Sequence, residues 1–221
     1  VNFSKIQFTV ENETTIRYGM GAIKGVGESA LAGIVSEREQ GEAFTSLFDF
    51  CRRVELKKIN RRVMESLVKA GAFDSLGGHR ASLESSLSRA MQIAEQHRRD
   101  AASGQNDLFG LAEPSHADQP QTDLLEDVPE WQEEQLLRAE KETLGLYLSG
   151  HPIDRYAAEL AQFIPKKISE LDAPESKGYQ RNEIPLLTAG LIVAIRTMKS
   201  KNGSRMAFIT LDDQTARLEV R

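Results

Sequence analysis

Two glycines flank a single valine within residues 22–30, and this spacing could bind a phosphate group. Gly25 and Gly27 permit a tight turn between two helices, and Val26 is expected to fill the space between those helices. The free backbone N–H groups at the start of the second helix would then point outward, where the helix dipole favours an anion. Lys24 adds a positive charge beside that site. The alternative interpretation of these residues is a simple glycine-capped turn between core helices.

A second, degenerate copy of this pattern spans residues 61–76 and turns at residues 69–73, but it lacks the second glycine. We expect it to pack against the first copy. Its basic residues Arg61, Arg62 and Lys69 are then predicted to face a nucleic-acid backbone, since lysine and arginine neutralise phosphates. A solvated helix face is the alternative explanation for these three charges.

An apolar pair, Leu108 and Phe109, interrupts the polar residues 104–130. Such a pair has no local core to join, so we interpret it as an anchor for a partner's pocket, with Gln105 and Asp107 beside it. The order glutamine, two variable residues, leucine, phenylalanine is similar to the peptide by which bacterial polymerases bind the sliding clamp. Alternatively, the pair folds back onto the neighbouring helices.

The remaining residues of chemical interest receive structural interpretations. Asp212 and Asp213 follow a predicted strand and are interpreted as a strand-to-turn pair, so no metal site and no catalytic residue is predicted. His151 lies in a Gly-His-Pro helix break, and Cys51 lies among apolar neighbours as inert core. Trp131 is expected to pack at a helix start, with base stacking as its alternative role.

The surrounding pattern predicts a mostly α-helical fold with a small N-terminal β-hairpin and a β region at the end. The hairpin covers residues 5–18, and the later strands are expected at 187–197, 206–211 and 218–221, with a two-residue turn at Asn202-Gly203. Asn60 is predicted to cap the third helix and Gly71 to end it. The predicted helices cover residues 28–40, 46–52, 60–70, 79–103, 131–148 and 153–163.

Composition narrows the functional classes. The 221 residues are 40% hydrophobic and 28% charged, which excludes wholesale disorder, and the single cysteine excludes a disulfide or multi-cysteine metal site. The net charge of −5 is segregated: +2 in residues 1–100, −10 in residues 101–160 and +3 in residues 161–221. An acidic chain with a local basic face can still bind DNA. The N-terminal Val1 is not an ordinary initiation site, which predicts a piece of a longer protein.

Longer runs carry a resemblance that covers essentially the whole chain in order. The chain resembles the C-terminal third of bacterial DNA polymerase III alpha subunits, the C-family replicative polymerases. The runs that carry the resemblance are residues 16–27, 60–63, 70–74, 105–110 and 142–152. This resemblance implies a layout of five parts: the end of the fingers region at 1–18, a helix-hairpin-helix domain at 19–103, the clamp motif and acidic linker at 104–130, connecting helices at 131–184 and the incomplete start of an OB fold at 185–221.

The function implied by the resemblance is DNA binding and sliding-clamp binding, which contribute to template positioning and processivity in replication. The implied partners are duplex DNA, single-stranded template at the OB region, the clamp and other replisome subunits in the bacterial cytoplasm, with no membrane. The parent family is a DNA-directed nucleotidyltransferase whose palm carboxylates hold Mg²⁺ upstream of this segment. The segment alone is therefore expected to be inactive and to hold no cofactor.

Three other interpretations remain open at this stage. The chain could be the same region of an error-prone polymerase paralogue, although the Gln105–Phe109 motif favours the replicative form. It could be a stand-alone helix-hairpin-helix repair or scaffold protein. It could also be a protein-interaction module that never contacts DNA, which the salt dependence of duplex binding would reveal.

Overall fold

The computed structural model describes residues 1–102, 124–171, 185–200 and 202–221. The chain forms two compact units, Val1–Tyr147 and Leu148–Arg221. The first unit is mostly helical and begins with a β-hairpin, and the second ends in an antiparallel sheet, which confirms the predicted fold class. In the described parts of the chain, no helix is long and apolar enough to cross a bilayer.

The N-terminal hairpin is shorter than predicted. Its strands, β1 (Thr9–Asn12) and β2 (Thr15–Arg17), pair antiparallel with a register shift between Val10 and Asn12. Residues 5–6 do not extend β1, because their carbonyls accept hydrogen bonds from the backbone N–H groups of a short 3-10 turn, Met20–Ala22. This contact holds the hairpin against the start of the helical region.

Five α-helices follow the hairpin in the described residues of the first unit. Ser46 and Asn60 cap the second and third helices by accepting hydrogen bonds from backbone N–H groups three residues later. The cap at Asn60 was predicted. The third helix ends at Lys69 with Ala70 as its C-cap, and Gly71, the predicted cap, follows one residue later at φ 72°. The helices are α1 (Glu28–Gln40), α2 (Leu47–Arg53), α3 (Arg61–Lys69), α4 (Arg80–Ala102) and α5 (Glu133–Leu144).

The helix α5 is shorter than the predicted helix 131–148. It ends at Leu144 because Gly145 adopts a left-handed conformation, with φ 80°, which terminates the helical hydrogen-bond pattern. Trp131 precedes the helix and packs against the core, as predicted. The C-terminal end of α5 therefore lies at Gly145 rather than at the Gly-His-Pro sequence that begins at residue 150.

One hydrophobic core joins the helices of the first unit. Phe50 lies at its centre and makes edge-to-face contacts with Phe44 and Phe73 at ring-centroid distances of 4.8 and 4.9 Å. Cys51 is fully buried in the same core, which confirms its prediction as a core residue. Val26, from the two-glycine turn, is also part of this core. The turn is thus fixed by apolar burial and does not depend on a loop conformation alone.

The described residues of the second unit form the α-helix α6 (Ala157–Phe163) and a three-stranded antiparallel sheet in the order β3-β4-β5. The strands are β3 (Leu191–Lys199), β4 (Arg205–Asp212) and β5 (Arg217–Val220). The predicted two-residue turn is wrong: Lys199 pairs with Arg205, so five residues connect the strands. The backbone N–H of Ser200 donates to the Ser204 carbonyl, and Gly203 supplies the positive φ of 82° that this wider loop requires.

Candidate nucleic-acid interface

The two glycines of the first turn have different roles. Gly25 adopts φ 86°, and a Cβ atom there would lie 3.1 Å from the Ser66 hydroxyl of α3, so this turn requires glycine. Gly27 has an ordinary φ of −80° and would place a Cβ in open space. No feature within the described chain requires glycine at this second position. The absence of a side chain instead leaves the backbone open to a molecule that approaches from outside.

The start of α1 has no side-chain cap. Its N-cap residue is Gly27, whereas α2 and α3 are capped by the side chains of Ser46 and Asn60. In α1 the equivalent N–H, that of Ala30, donates to the Gly27 carbonyl at 3.1 Å, and Gly27 has no side chain that could accept a hydrogen bond from the first turn. Uncapped N–H groups at the positive end of a 13-residue helix can hold an anion such as a phosphate.

A cleft of about 300 Å³ lies between the first turn, α3 and α5. It collects four of the predicted DNA-binding residues: Lys24, Gly25, Arg62 and Lys69. The two carboxylates on its wall, Glu65 and Glu142, leave cations in the majority. The expected packing of the second copy against the first is confirmed, because α3 supplies the wall opposite the turn.

Arg61, the remaining basic candidate of α3, lies outside this cleft. Its Nε donates to Glu65 at 2.7 Å, and its guanidinium also donates to the Ser88 hydroxyl of α4. The structure therefore brings together Lys24, Arg62 and Lys69 and directs Arg61 toward α4. Because Arg61 also binds the Glu65 carboxylate, it reduces the effect of that acid on the cleft.

The C-terminal end of α5 positions the first turn, a contact that no local sequence pattern predicts. The backbone N–H of Lys24 donates to the Thr143 carbonyl at 2.9 Å, and the Tyr18 hydroxyl donates to the Leu144 carbonyl at 3.0 Å. The ammonium of Lys24 lies beside Gly145, at the negative end of the helix. Thr143 and Leu144 lie in the run 142–152, which carries part of the family resemblance but was predicted to belong to a connecting helix. That resemblance is the sequence signal that could have identified their role.

A buried ion cluster joins α5 to the residues that follow α3. The Arg80 guanidinium donates to Asp74 at 2.8 Å, to Glu140 at 3.1 Å and to the Lys69 carbonyl at 3.3 Å. Burial alone would lower the pKa of Arg80, but its bonds to Asp74 and Glu140 outweigh burial and raise that pKa. Arg80 therefore stays charged and fixes the backbone at the end of α3, where Lys69 enters the cleft.

The adjacent aspartates of the second unit form a strand-to-turn pair, as predicted: Asp212 ends β4 and Asp213 begins the turn. Asp213 accepts hydrogen bonds from the backbone N–H groups of Ile168, Thr215 and Ala216, and Asp212 accepts one from Gln214. For each carboxyl, burial alone would raise the pKa, but these hydrogen bonds, together with Arg217 for Asp212, hold the pKa below its ordinary value. Within the described ranges, no group of three or more His, Cys, Asp or Glu side chains could hold a metal ion.

His151 is buried and belongs to the local structure of the second unit. Its Nδ1 accepts a hydrogen bond from the Ile153 backbone, and its own backbone N–H donates to Asp154. These bonds agree with the structural role predicted from the sequence. The predicted clamp-binding residues Gln105, Asp107, Leu108 and Phe109 lie outside the described residues.

Comparisons with known proteins bear on the whole chain. A family described as "Helix-hairpin-helix motif" matches residues 1–83, the part that contains both turns. DNA polymerase III subunit alpha of Pasteurella multocida is 45% identical over 220 residues, and that of Vibrio cholerae is 44% identical over 222 residues. The protein of the same name from Escherichia coli K12 is 42% identical over 223 residues. Each match covers 100% of this chain but only 18% of the relative, so the chain spans less than a fifth of these proteins.

Proposed function

Because this chain belongs over its full length to the family of bacterial DNA polymerase III alpha subunits, we propose that its first unit holds duplex DNA for such a polymerase. The cleft carries the proposal: it places Lys24, Arg62 and Lys69 on one surface at the two-glycine turn. Backbone N–H groups and lysine or arginine side chains recognise phosphates and not base edges. Binding is therefore independent of sequence, as a replicative polymerase in the bacterial cytoplasm requires.

Charge-removing variants test this function. Lys24→Gln and Arg62→Gln should each weaken binding of a short duplex about 3–10-fold near 0.1 M salt. Each should also lower the slope of log affinity against log salt concentration by roughly 0.9, the contribution of one phosphate contact. Arg99→Gln is the matched control, since Arg99 is exposed on α4 and does not line the cleft. Salt-insensitive binding, or strong preference for one sequence, would contradict the proposal.

A Gly27→Leu variant tests the backbone contact separately. A side chain at this position meets open space, so the thermal stability should change little, by about 1 kcal/mol or less for a lost N-cap glycine. Duplex affinity should nevertheless fall, because the new side chain covers the N–H groups of α1. Gly25→Leu should instead lower both stability and affinity, since Gly25 requires a left-handed conformation. Unchanged affinity in Gly27→Leu would remove the α1 N-terminus from the interface.

The sliding clamp is a second proposed partner, supported by the sequence Gln105–Phe109. Leu108 and Phe109 would fill an apolar pocket, a burial worth roughly 3–6 kcal/mol before ordering costs. Changing both residues to alanine should abolish clamp binding and leave duplex affinity unchanged. Two titrations of this variant, one against clamp and one against duplex, measure the outcome, and intact clamp binding would contradict the proposal.

The second unit is proposed to be the start of an OB fold that contacts single-stranded template. Its antiparallel sheet supports this, together with Phe208, whose ring has the guanidinium groups of Arg196 and Arg221 at 5.0 and 5.8 Å. An aromatic ring between cations is the kind of surface on which bases stack. Phe208→Ala should weaken binding of oligothymidine severalfold, while Phe163→Ala, an exposed aromatic on α6, should not. Equal effects would argue against a base-stacking role.

Catalysis is assigned to other parts of such a polymerase. The described residues offer no cluster of carboxylates for the two Mg²⁺ ions of nucleotidyl transfer, because Asp212 and Asp213 accept the hydrogen bonds of their own turn. The purified chain should therefore not extend a primed template with Mg²⁺ or Mn²⁺. Incorporation of nucleotides that is lost in Asp213→Asn would refute this assignment.

A further inference from the structure

Glu142 occupies an unexpected place for an acidic residue, on the wall of the cationic cleft. It lies in the last turn of α5, and its carboxylate oxygen is 3.8 Å from the Lys69 ammonium. Glu142 is 68% exposed and Lys69 is 32% exposed, so solvent and an incoming ligand can reach both groups. Two cations of the cleft, Lys24 and Arg62, are likewise exposed.

The position of Glu142 is fixed by contacts on both sides of it. Two residues earlier, Glu140 binds Arg80, which also donates to the Lys69 carbonyl. One residue later, the Thr143 carbonyl accepts the Lys24 backbone N–H. The same contacts that position the two lysines therefore also hold the Glu142 backbone beside them. The carboxylate is part of the cleft and not a chance neighbour on a mobile loop.

The Lys69–Glu142 pair is well suited to displacement. At 3.8 Å the two charges attract each other without a direct hydrogen bond, and exposed pairs of this kind contribute little to stability. A DNA phosphate that enters the cleft must take Lys69 from this carboxylate and then lie near a like charge. The other acid of the cleft has less influence, since Glu65 already binds Arg61 at 2.7 Å.

We propose that Glu142 is an intramolecular competitor for the phosphate at Lys69, and that it limits how tightly the cleft retains duplex DNA. This inference rests on the proposed duplex-binding function. A polymerase has to move along its product, so a built-in carboxylate that re-binds Lys69 whenever a phosphate leaves would favour release at each step. Glu142 would thus set affinity without contributing any attraction to DNA.

Removal of this charge should therefore strengthen binding. Glu142→Gln should bind a short duplex about 3–10-fold more tightly near 0.1 M salt, with the difference shrinking at higher salt. The matched control is Glu133→Gln, which makes the same change in net charge on the first turn of the same helix, outside the cleft. The control should change affinity by less than about twofold. Fluorescence anisotropy of a labelled duplex, at several salt concentrations, measures both variants.

A double-mutant cycle with Lys69→Gln isolates the competition from a general charge effect. Because Glu142 occupies Lys69 in the unmodified chain, Lys69→Gln should cost more affinity in the Glu142→Gln background than in the original background. Equal losses in the two backgrounds, equal effects of Glu142→Gln and Glu133→Gln, or weaker binding by Glu142→Gln would each overturn the proposal. The duplex-binding function has its own test: it fails if Lys24→Gln and Arg62→Gln leave affinity unchanged, whatever Glu142→Gln does.

Discussion

The buried ion cluster around Arg80 is expected to be a major determinant of the stability of the first unit. The Arg80 side chain is 9% exposed, and the Glu140 side chain that it contacts is completely buried. In an Arg80→Met variant, Glu140 loses its guanidinium partner while remaining out of water. Breaking such a buried pair from one side costs about 3–5 kcal/mol of unfolding free energy, because the buried carboxylate loses its opposite charge without regaining water.

This loss is measurable by urea unfolding followed through the fluorescence of Trp131, the only tryptophan, which lies in the first unit. With a slope of roughly 2 kcal/mol per molar urea, the unfolding midpoint should fall by about 1.5–2.5 M. Asp74→Ala is the comparison: Asp74 is 50% exposed, so its loss should cost less than the loss of Arg80, which is the guanidinium partner of the fully buried Glu140.

The double variant Arg80→Met with Glu140→Leu distinguishes charge from packing. It removes both buried charges together, so it should be more stable than Arg80→Met alone, although one more native residue has been replaced. If Arg80→Met costs less than about 1 kcal/mol, or if the double variant is less stable than the single, the cluster does not stabilise the fold in the way described.

Three further predictions concern single positions. Gly71→Ala should destabilise the first unit more than Gly77→Ala, as measured by calorimetry. Both glycines have positive φ, but only at Gly71 would a Cβ meet Arg80 and Asp74. Equal losses of stability in the two variants would contradict this account. Burial raises the pKa of the Cys51 thiol to about 12. At pH 8, iodoacetamide should therefore label this thiol only after urea unfolding, and rapid labelling of the folded chain would refute its burial. The pKa of Asp213 is lowered on folding, so its contribution is fully present above the unfolded pKa and is lost as pH falls through the lower folded pKa. Asp213→Asn should lower the melting temperature at pH 7, and this deficit should shrink as the pH is lowered below the ordinary pKa of an aspartate. A deficit independent of pH would be inconsistent with the shift.

Local features of the sequence were sufficient to predict most of the elements. The helix at Glu28–Gln40 has the bounds expected from its apolar spacing and flanking glycines. Asn60 caps the third helix, as its residue type and position predict. These features act within a few residues, because caps, turns and helical periodicity are short-range effects. The errors occurred where distant backbone intervened, as at residues 5–6, whose carbonyls bind the turn Met20–Ala22 instead of extending a strand.

The sequence identified some residues of the candidate site but not the way they are brought together. The two-glycine turn and the basic residues of α3 could be identified because each lies in one short segment with a recognisable charge pattern. The sequence alone did not identify α5 as the third wall, because its contact with the turn joins Tyr18 to Leu144, 126 residues away. Tertiary structure alone also directs Arg61 away from the cleft and places Glu142 inside it. Which charges face a ligand depends on how helices pack, and packing is decided by side chains that are distant in the chain.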